Sequence, residues 1–204
     1  MCGTDGCRAT HIARPSWRQG ATIRRVPSFT TRRGTVADVD LLGAIVQAGF
    51  DSYREFAPGE WRPPDVAAGR DARAEVFAEP TTWVLIALSQ GVPVGHVAFM
   101  PARAPPTGGT AAWSVRAVIP GVAHLWQLFV LPDWWGCGVA PQLHDAAIEQ
   151  MRAEGYSSAR LFTPSLQTRA RRFYERRGWL AQGDTWNAEF ALSMTEYHLS
   201  LRAT

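Results

Sequence analysis

Leu128-Phe129-Val130-Leu131-Pro132-Asp133-Trp134-Trp135-Gly136-Cys137-Gly138-Val139-Ala140 runs from an apolar strand, through a turn with two glycines, into a helix. The first amides of a helix have no partner inside it. Together with the helix dipole they form an anion site, and glycine lets a phosphate reach the backbone. The segment therefore predicts a strand–turn–helix able to cradle a pyrophosphate. Beyond it, Val139, Leu143, Ala147 and Met151 recur at four-residue steps, which extends the helix. Pro141 falls in its first turn, where the missing N–H breaks no helical bond, and Gly155 supplies a left-handed stop.

The neighbouring segments follow the same logic. Ala123–Leu131 is the apolar strand, ended by Pro132, and Ala159–Thr163 is the next strand. A strand–helix–strand step over 123–163 requires a parallel pair. Gln167–Arg177 reads as a helix with Ala170, Phe173 and Tyr174 on one face, stopped by Gly178. Trp179–Gln182 and Thr195–Leu201 close the chain as strands, the last alternating Tyr197, Leu199 and Leu201 against Glu196, His198 and Ser200.

Upstream, Phe29–Arg33 is a short strand. Thr35 and Asp38 have capping-box spacing ahead of Leu41, Leu42, Ile45, Val46 and Phe50, so a helix spans 36–50. Residues 51–70 form a loop or broken helix with exposed aromatics, and Arg70–Ala78 a short helix. Thr82–Ser89 and Val94–Met100 form a hairpin around Gln90–Pro93. Residues 101–121 read as a Pro/Gly-rich loop with an extra strand within Trp113–Ile119. The sum is an α/β chain with a central mixed, mostly antiparallel sheet flanked by helices.

Composition narrows the chemistry. The chain has 204 residues, 46% hydrophobic and 19% charged, enough for one domain with a real core. All 21 basic residues are arginine, with no lysine, so Schiff-base and P-loop lysine chemistry is excluded. The net charge of +3 is too mild to imply nucleic acid, and no apolar run is long enough for a membrane span. Cys2, Cys7 and Cys137 match no zinc or disulfide spacing, so no metal site and a reducing, cytoplasmic setting are expected. Residues 1–27 read as a disordered tail and 28–204 as the folded domain. The Arg, Ala and Trp bias suits a GC-rich bacterial genome. The exposed aromatics and the 101–121 insertion permit a homodimer.

Two motifs in this order resemble the GCN5-related N-acetyltransferase (GNAT) superfamily. Its acyl-CoA motif, Arg/Gln-x-x-Gly-x-Gly/Ala after a strand of the type Leu-Tyr/Phe-Val-x-Pro, is matched by Leu128–Pro132 and Trp135–Ala140. Its later Asn-x-x-Ala-x-x-Phe-Tyr-Glu-Lys-x-Gly-Phe is matched by Gln167–Trp179. The resemblance implies the GNAT fold, acetyl-CoA as cofactor and acetyl transfer to an amine by direct attack in a ternary complex. It implies that main-chain groups of Phe129, Val130 and Leu131 pair with pantetheine. Amides of Gly136, Cys137, Gly138, Val139 and Ala140 would hold the pyrophosphate, beside the backbone of Trp135. Gln167 and Ala170 would contact the cofactor arm, and Tyr174 would protonate the departing thiolate.

Trp135 stands where the motif has Arg or Gln, and Gln167 where it has Asn. The strand that carries the base in many relatives offers His124 and Gln127 and no carboxylate, which makes His124 the candidate base. His96, Glu55 and Tyr53 are adjacent candidates. Tyr53, Phe56 and Trp61 are the expected substrate walls. His144 and His198 read as solvated. Arg169, Arg171, Arg172, Arg176 and Arg177 read mainly as a solvated helix face that attracts an anionic cofactor. The alternative to an enzyme is a degenerate acyl-CoA-binding sensor.

Overall fold

The computed structural model describes residues 28–105 and 116–202. The 1–27 tail with Cys2 and Cys7, and residues 106–115 of the segment expected to hold a loop and an extra strand, lie outside the described residues. Among the described residues seven strands form one sheet: β1 Thr30–Arg33, β2 Trp83–Ser89, β3 Val92–Arg103, β4 Val118–Val130, β5 Ser158–Pro164, β6 Leu180–Asn187 and β7 Leu192–Ser200. Four α-helices among the described residues flank it: α1 Val39–Ser52, α2 Arg70–Ala78, α3 Val139–Ala153 and α4 Thr168–Glu175. Strand order is β1-β2-β3-β4-β5-β7-β6, and among these strands only β4 and β5 pair in parallel.

Local chemistry explains the elements. Asp38 closes the turn before α1 by accepting the Thr35 N–H at 2.9 Å. Leu42, Ile45 and Val46 of α1 turn inward, whereas Leu41 is 39% exposed. Gln90 and Gly91 both have positive φ, which suits the tight turn of the β2–β3 hairpin. The four-residue repeat of α3 is fully buried at Val139, Leu143, Ala147 and Met151. Gly155 has a φ of +82°, as the stop after α3 requires.

The sheet buries both faces. Val39, Leu42 and Ile45 of α1 and Phe77 of α2 cover one, against Val84, Ile86 and Ala98. Helices α3 and α4 cover the other, against Val97, Phe99, Ala123, Leu125, Ala159 and Leu161. A third cluster joins Tyr53 and Trp61 to Leu192 and Met194 of β7.

Several expectations change. Tyr53 and Trp61 are buried, not exposed, because β7 begins at Leu192 and supplies their apolar floor. The 101–121 loop is shorter than expected, since β3 runs to Arg103 and β4 starts at Val118. Pro101 sits in β3 beside a register irregularity, a place where a strand tolerates proline. Trp179 precedes β6 rather than starting it, and is buried against α3. His144 is 3% exposed, not solvated: its Nε2 accepts the Trp179 indole N–H at 3.0 Å and its Nδ1 bonds Asp145 at 2.9 Å. Among the described residues no helix is long and apolar enough to cross a membrane.

Candidate active site

Strands β4 and β5 pair only over Val122–His124 with Ser158–Arg160. Beyond that, β5 stays paired with β7 while β4 stays paired with β3, and the two strands part. A cavity of about 460 Å³ fills the opening. The end of α1, β4, the turn after it, the start of α3, β5 and α4 all contribute to its walls.

The ladder alternation decides which β4 groups face this cleft. Leu131 N–H donates to Val94 O at 2.9 Å, and the register then places His96 opposite Phe129. In an antiparallel pair every second residue turns its N–H and C=O to the partner strand. Phe129 and Leu131 therefore spend theirs on β3, while Leu128 and Val130 turn theirs toward the cleft. The Val130 carbonyl is already used: the Trp135 indole Nε1 donates to it at 2.8 Å. Of the expected trio 129–131, Phe129 and Val130 line the cavity and Leu131 does not; Leu128 joins them, and by the alternation the main chain turned to the cleft is that of Leu128 and Val130.

The turn after β4 presents amides selectively. Trp135 N–H donates to Pro132 O and Cys137 N–H to Trp134 O, at 3.0 and 3.2 Å, so neither faces a ligand. Cys137 is thereby removed from the expected cradle. Among the described backbone bonds none engages the amides of Gly136, Gly138, Val139 or Ala140. Helix α3 has no side-chain cap and no acidic residue in its first turn. Gly136 and Gly138 have φ of +79° and +85°, and a Cβ on either would meet nothing within 4 Å. Backbone donors at an uncapped helix end, walled by open space, are what a phosphate needs.

Tyr174 lines the cleft and is 7% exposed. Burial raises its phenol well above the ordinary tyrosine range, and nearby Tyr53 adds to this. Burial raises Tyr53 likewise. Both keep their protons at neutral pH. Gln167 and Ala170 line the same cavity, and Gln167 Oε1 accepts from Thr163 Oγ1 at 3.2 Å.

The expected substrate walls separate. Tyr53 lines the main cavity, and Phe56 lines a smaller one of about 280 Å³ with Ser52, Glu55, Leu166, Gln167, Thr168 and Arg169. Trp61 lines neither, and its Nε1 donates to Phe190 O at 2.7 Å as part of the packing under β7.

His124 is not placed as a base. It lies where β4 and β5 are still paired, packs edge-on to Phe162, and is absent from the cavity wall. Burial, with the charge of Arg160, lowers its pKa to about 3. His96 is buried against Gln127, whose Oε1 is 2.8 Å from Nε2, and burial lowers its pKa to about 4.

Sequence reasoning passed over Leu128, Phe162, Thr163 and Phe173 as wall residues, and left Arg169 and Arg176 undistinguished among five arginines. Arg169, Phe173 and Arg176 follow one helical face, a spacing visible in the sequence. Arg171 instead bonds Tyr197 and Ser165, and Arg177 lies over Phe173 near Asp145.

Comparison with known proteins agrees with this geometry. No curated protein sequence matches the chain. An N-acetyltransferase from Staphylococcus aureus Mu50 superposes with a TM-score of 0.64 at 17% identity, over 86% of this chain and 99% of that one. The PaiA N-acetyltransferase of Thermoplasma acidophilum, in complex with coenzyme A, gives 0.59 at 14% identity, over 83% and 98%. The Salmonella typhimurium YncA structure, with its cofactor acetyl-CoA, gives 0.61 at 18% identity, over 86% and 95%. These likenesses establish the fold. The model of the acetyltransferase (GNAT) family matches residues 46–179, from α1 to the end of the second motif, and the chain belongs to that family.

Proposed function

We propose that the protein is an N-acetyltransferase that moves an acetyl group from acetyl-CoA to a primary amine of a small molecule or protein, by direct attack within one ternary complex. The observation that carries this reading is a convergence. The uncapped amides of Gly136, Gly138, Val139 and Ala140, the unpaired edge of β4 and the Tyr174 phenol all open into one cavity of about 460 Å³. These groups fit coenzyme A by their chemistry: amides for a pyrophosphate, a free strand edge for the pantetheine amides. The coenzyme A and acetyl-CoA complexes of proteins with this fold support the same assignment.

Acetyl-CoA supplies an activated acetyl thioester. The four amides hold the pyrophosphate, while the main chain of Leu128 and the N–H of Val130 orient the arm along β4 and polarise the carbonyl. Gln167 and Ala170 border the arm. Tyr174 holds a proton at its phenolic oxygen, ready for the departing sulfur. Tyr53 walls the meeting point. The smaller cavity shares Ser52, Gln167 and Arg169 with the main one and forms the acceptor side. There Phe56 gives an apolar wall, and the Glu55 carboxylate attracts an ammonium and can take its proton. Holding both reactants in one cleft supplies much of the rate.

Calorimetric titration with acetyl-CoA, CoA and ATP, followed by an amine screen for free CoA release, tests the reading. Micromolar binding of the first two but not ATP, with amine-dependent release, is expected. Binding without turnover on any amine would favour an acyl-CoA sensor, and no binding would overturn both.

A further inference from the structure

Trp135 and Arg169 come from separate elements, the turn after β4 and the first turn of α4. The Arg169 guanidinium carbon lies 3.2 Å from the centroid of the Trp135 ring. The indole is itself fixed by its bond to Val130 O, so the arginine rests on a shelf anchored to the strand. Of the other arginines in or just after α4, Arg171 is committed to Tyr197 and Ser165 and Arg177 to Phe173 and Asp145, while Arg176 lines the same cavity but does not rest on the Trp135 ring. Among the described residues no side-chain hydrogen bond or salt bridge engages the Arg169 guanidinium, and the Glu55 carboxylate acts on it only through space. Arg169 lines the main cavity with Gly136 and Gly138, next in sequence to its own shelf. An arginine laid flat on an aromatic ring keeps its N–H edge free for bidentate contact with an oxyanion.

We infer that Arg169, held on the Trp135 indole, is the cationic anchor for a phosphate group bound at the amides of Gly136, Gly138, Val139 and Ala140. The turn supplies donors without charge, and the stacked guanidinium supplies the charge. Trp135 is a positioning residue: its N–H ties the shelf to β4 and its face sets the arginine. The inference rests on the acetyl-CoA reading for the identity of the ligand, but the anion anchor can be tested without it.

Calorimetry on the full chain with CoA, pantetheine and inorganic pyrophosphate separates the two. Arg169→Gln is expected to weaken CoA and pyrophosphate by roughly tenfold or more, as loss of a charge-assisted contact does, and to leave pantetheine unchanged. Trp135→Leu should reproduce much of that loss, Trp135→Phe should retain most of the affinity because the ring face remains, and Arg176→Gln should weaken CoA less. Adding Arg169→Gln to Trp135→Leu should cost little more, since the two residues act as one unit. Equal CoA affinity in wild type and Arg169→Gln would overturn the inference, as would equal weakening of CoA and pantetheine. Wild-type binding of pyrophosphate through Arg169 without binding of CoA would keep the anchor and sink the acetyl-CoA reading. Binding of neither would end both.

Discussion

Tyr174 is a phenol at the wall of an open cleft whose burial makes ionisation costly. On the proposed mechanism its proton is the useful part, and a raised pKa keeps that proton in place. Tyr174→Phe should lower kcat by about 100-fold or more, the usual scale for a lost general acid, with little change in acetyl-CoA affinity. Steady-state kinetics beside calorimetry reads the two separately. Because the folded pKa lies above the ordinary value near 10, wild-type activity should show no alkaline loss from Tyr174 below pH 10. Gly138 makes a different demand. Its φ of +85° is left-handed and its Cβ would face open space, so Gly138→Ala strains backbone without a clash. It should cost about 1 kcal/mol of stability and weaken CoA binding, measured by thermal melts and titration.

Between elements, one side-chain chain fastens α3 to the segment after α4. Trp179 donates to His144 Nε2, and His144 Nδ1 bonds Asp145, which fixes a neutral imidazole with its proton on Nδ1. Trp179 also packs against Tyr174, with ring centroids 5.9 Å apart. Trp179→Phe keeps most of the packing but leaves Nε2 buried without a donor, a loss of about 1–3 kcal/mol. A drop of several degrees in Tm would report it, at roughly 2–4 °C per kcal/mol for a chain this size. On the opposite face α1 approaches β4 through Gly49, where an added Cβ would overlap the Phe129 ring. That close approach lets the end of α1 form part of the cleft wall.

At the scale of the molecule, buried histidines couple stability to pH. His96 and His124 have folded pKa values of about 4 and 3, and that of His144 is also lowered, each chiefly by burial. In the unfolded chain each protonates near 6.5. Below that pH the unfolded state binds more protons, so stability present above 6.5 is lost as pH falls toward the folded values. Each group can contribute up to about 1.4 kcal/mol per pH unit within its window. Urea midpoints from pH 7 to 4 should fall steadily, and His96→Gln should flatten the slope. An unchanged midpoint across this range would show that the imidazoles are hydrated.

The amino-acid sequence by itself determined the strand–turn–helix, the second motif and the order of strands and helices around them. Those features are local: glycines with left-handed φ, a four-residue apolar repeat, a proline in a first turn. The open amides of Gly136 and Gly138, which we propose hold a phosphate, were legible for the same reason, since they belong to the backbone of one turn. The tertiary structure decided which strand groups face the cleft, because ladder alternation and the parting of β4 from β5 depend on partners far away in sequence. It buried Tyr53 and Trp61 under β7, took His124 out of contention as a base, and withdrew Cys137 through a bond within the turn. It also distinguished Arg169 from its neighbours, because only packing brings that guanidinium onto the Trp135 ring. Periodicity gives a side chain its face, but the charge, exposure and hydrogen-bond partners found on that face come from whatever the fold lays against it.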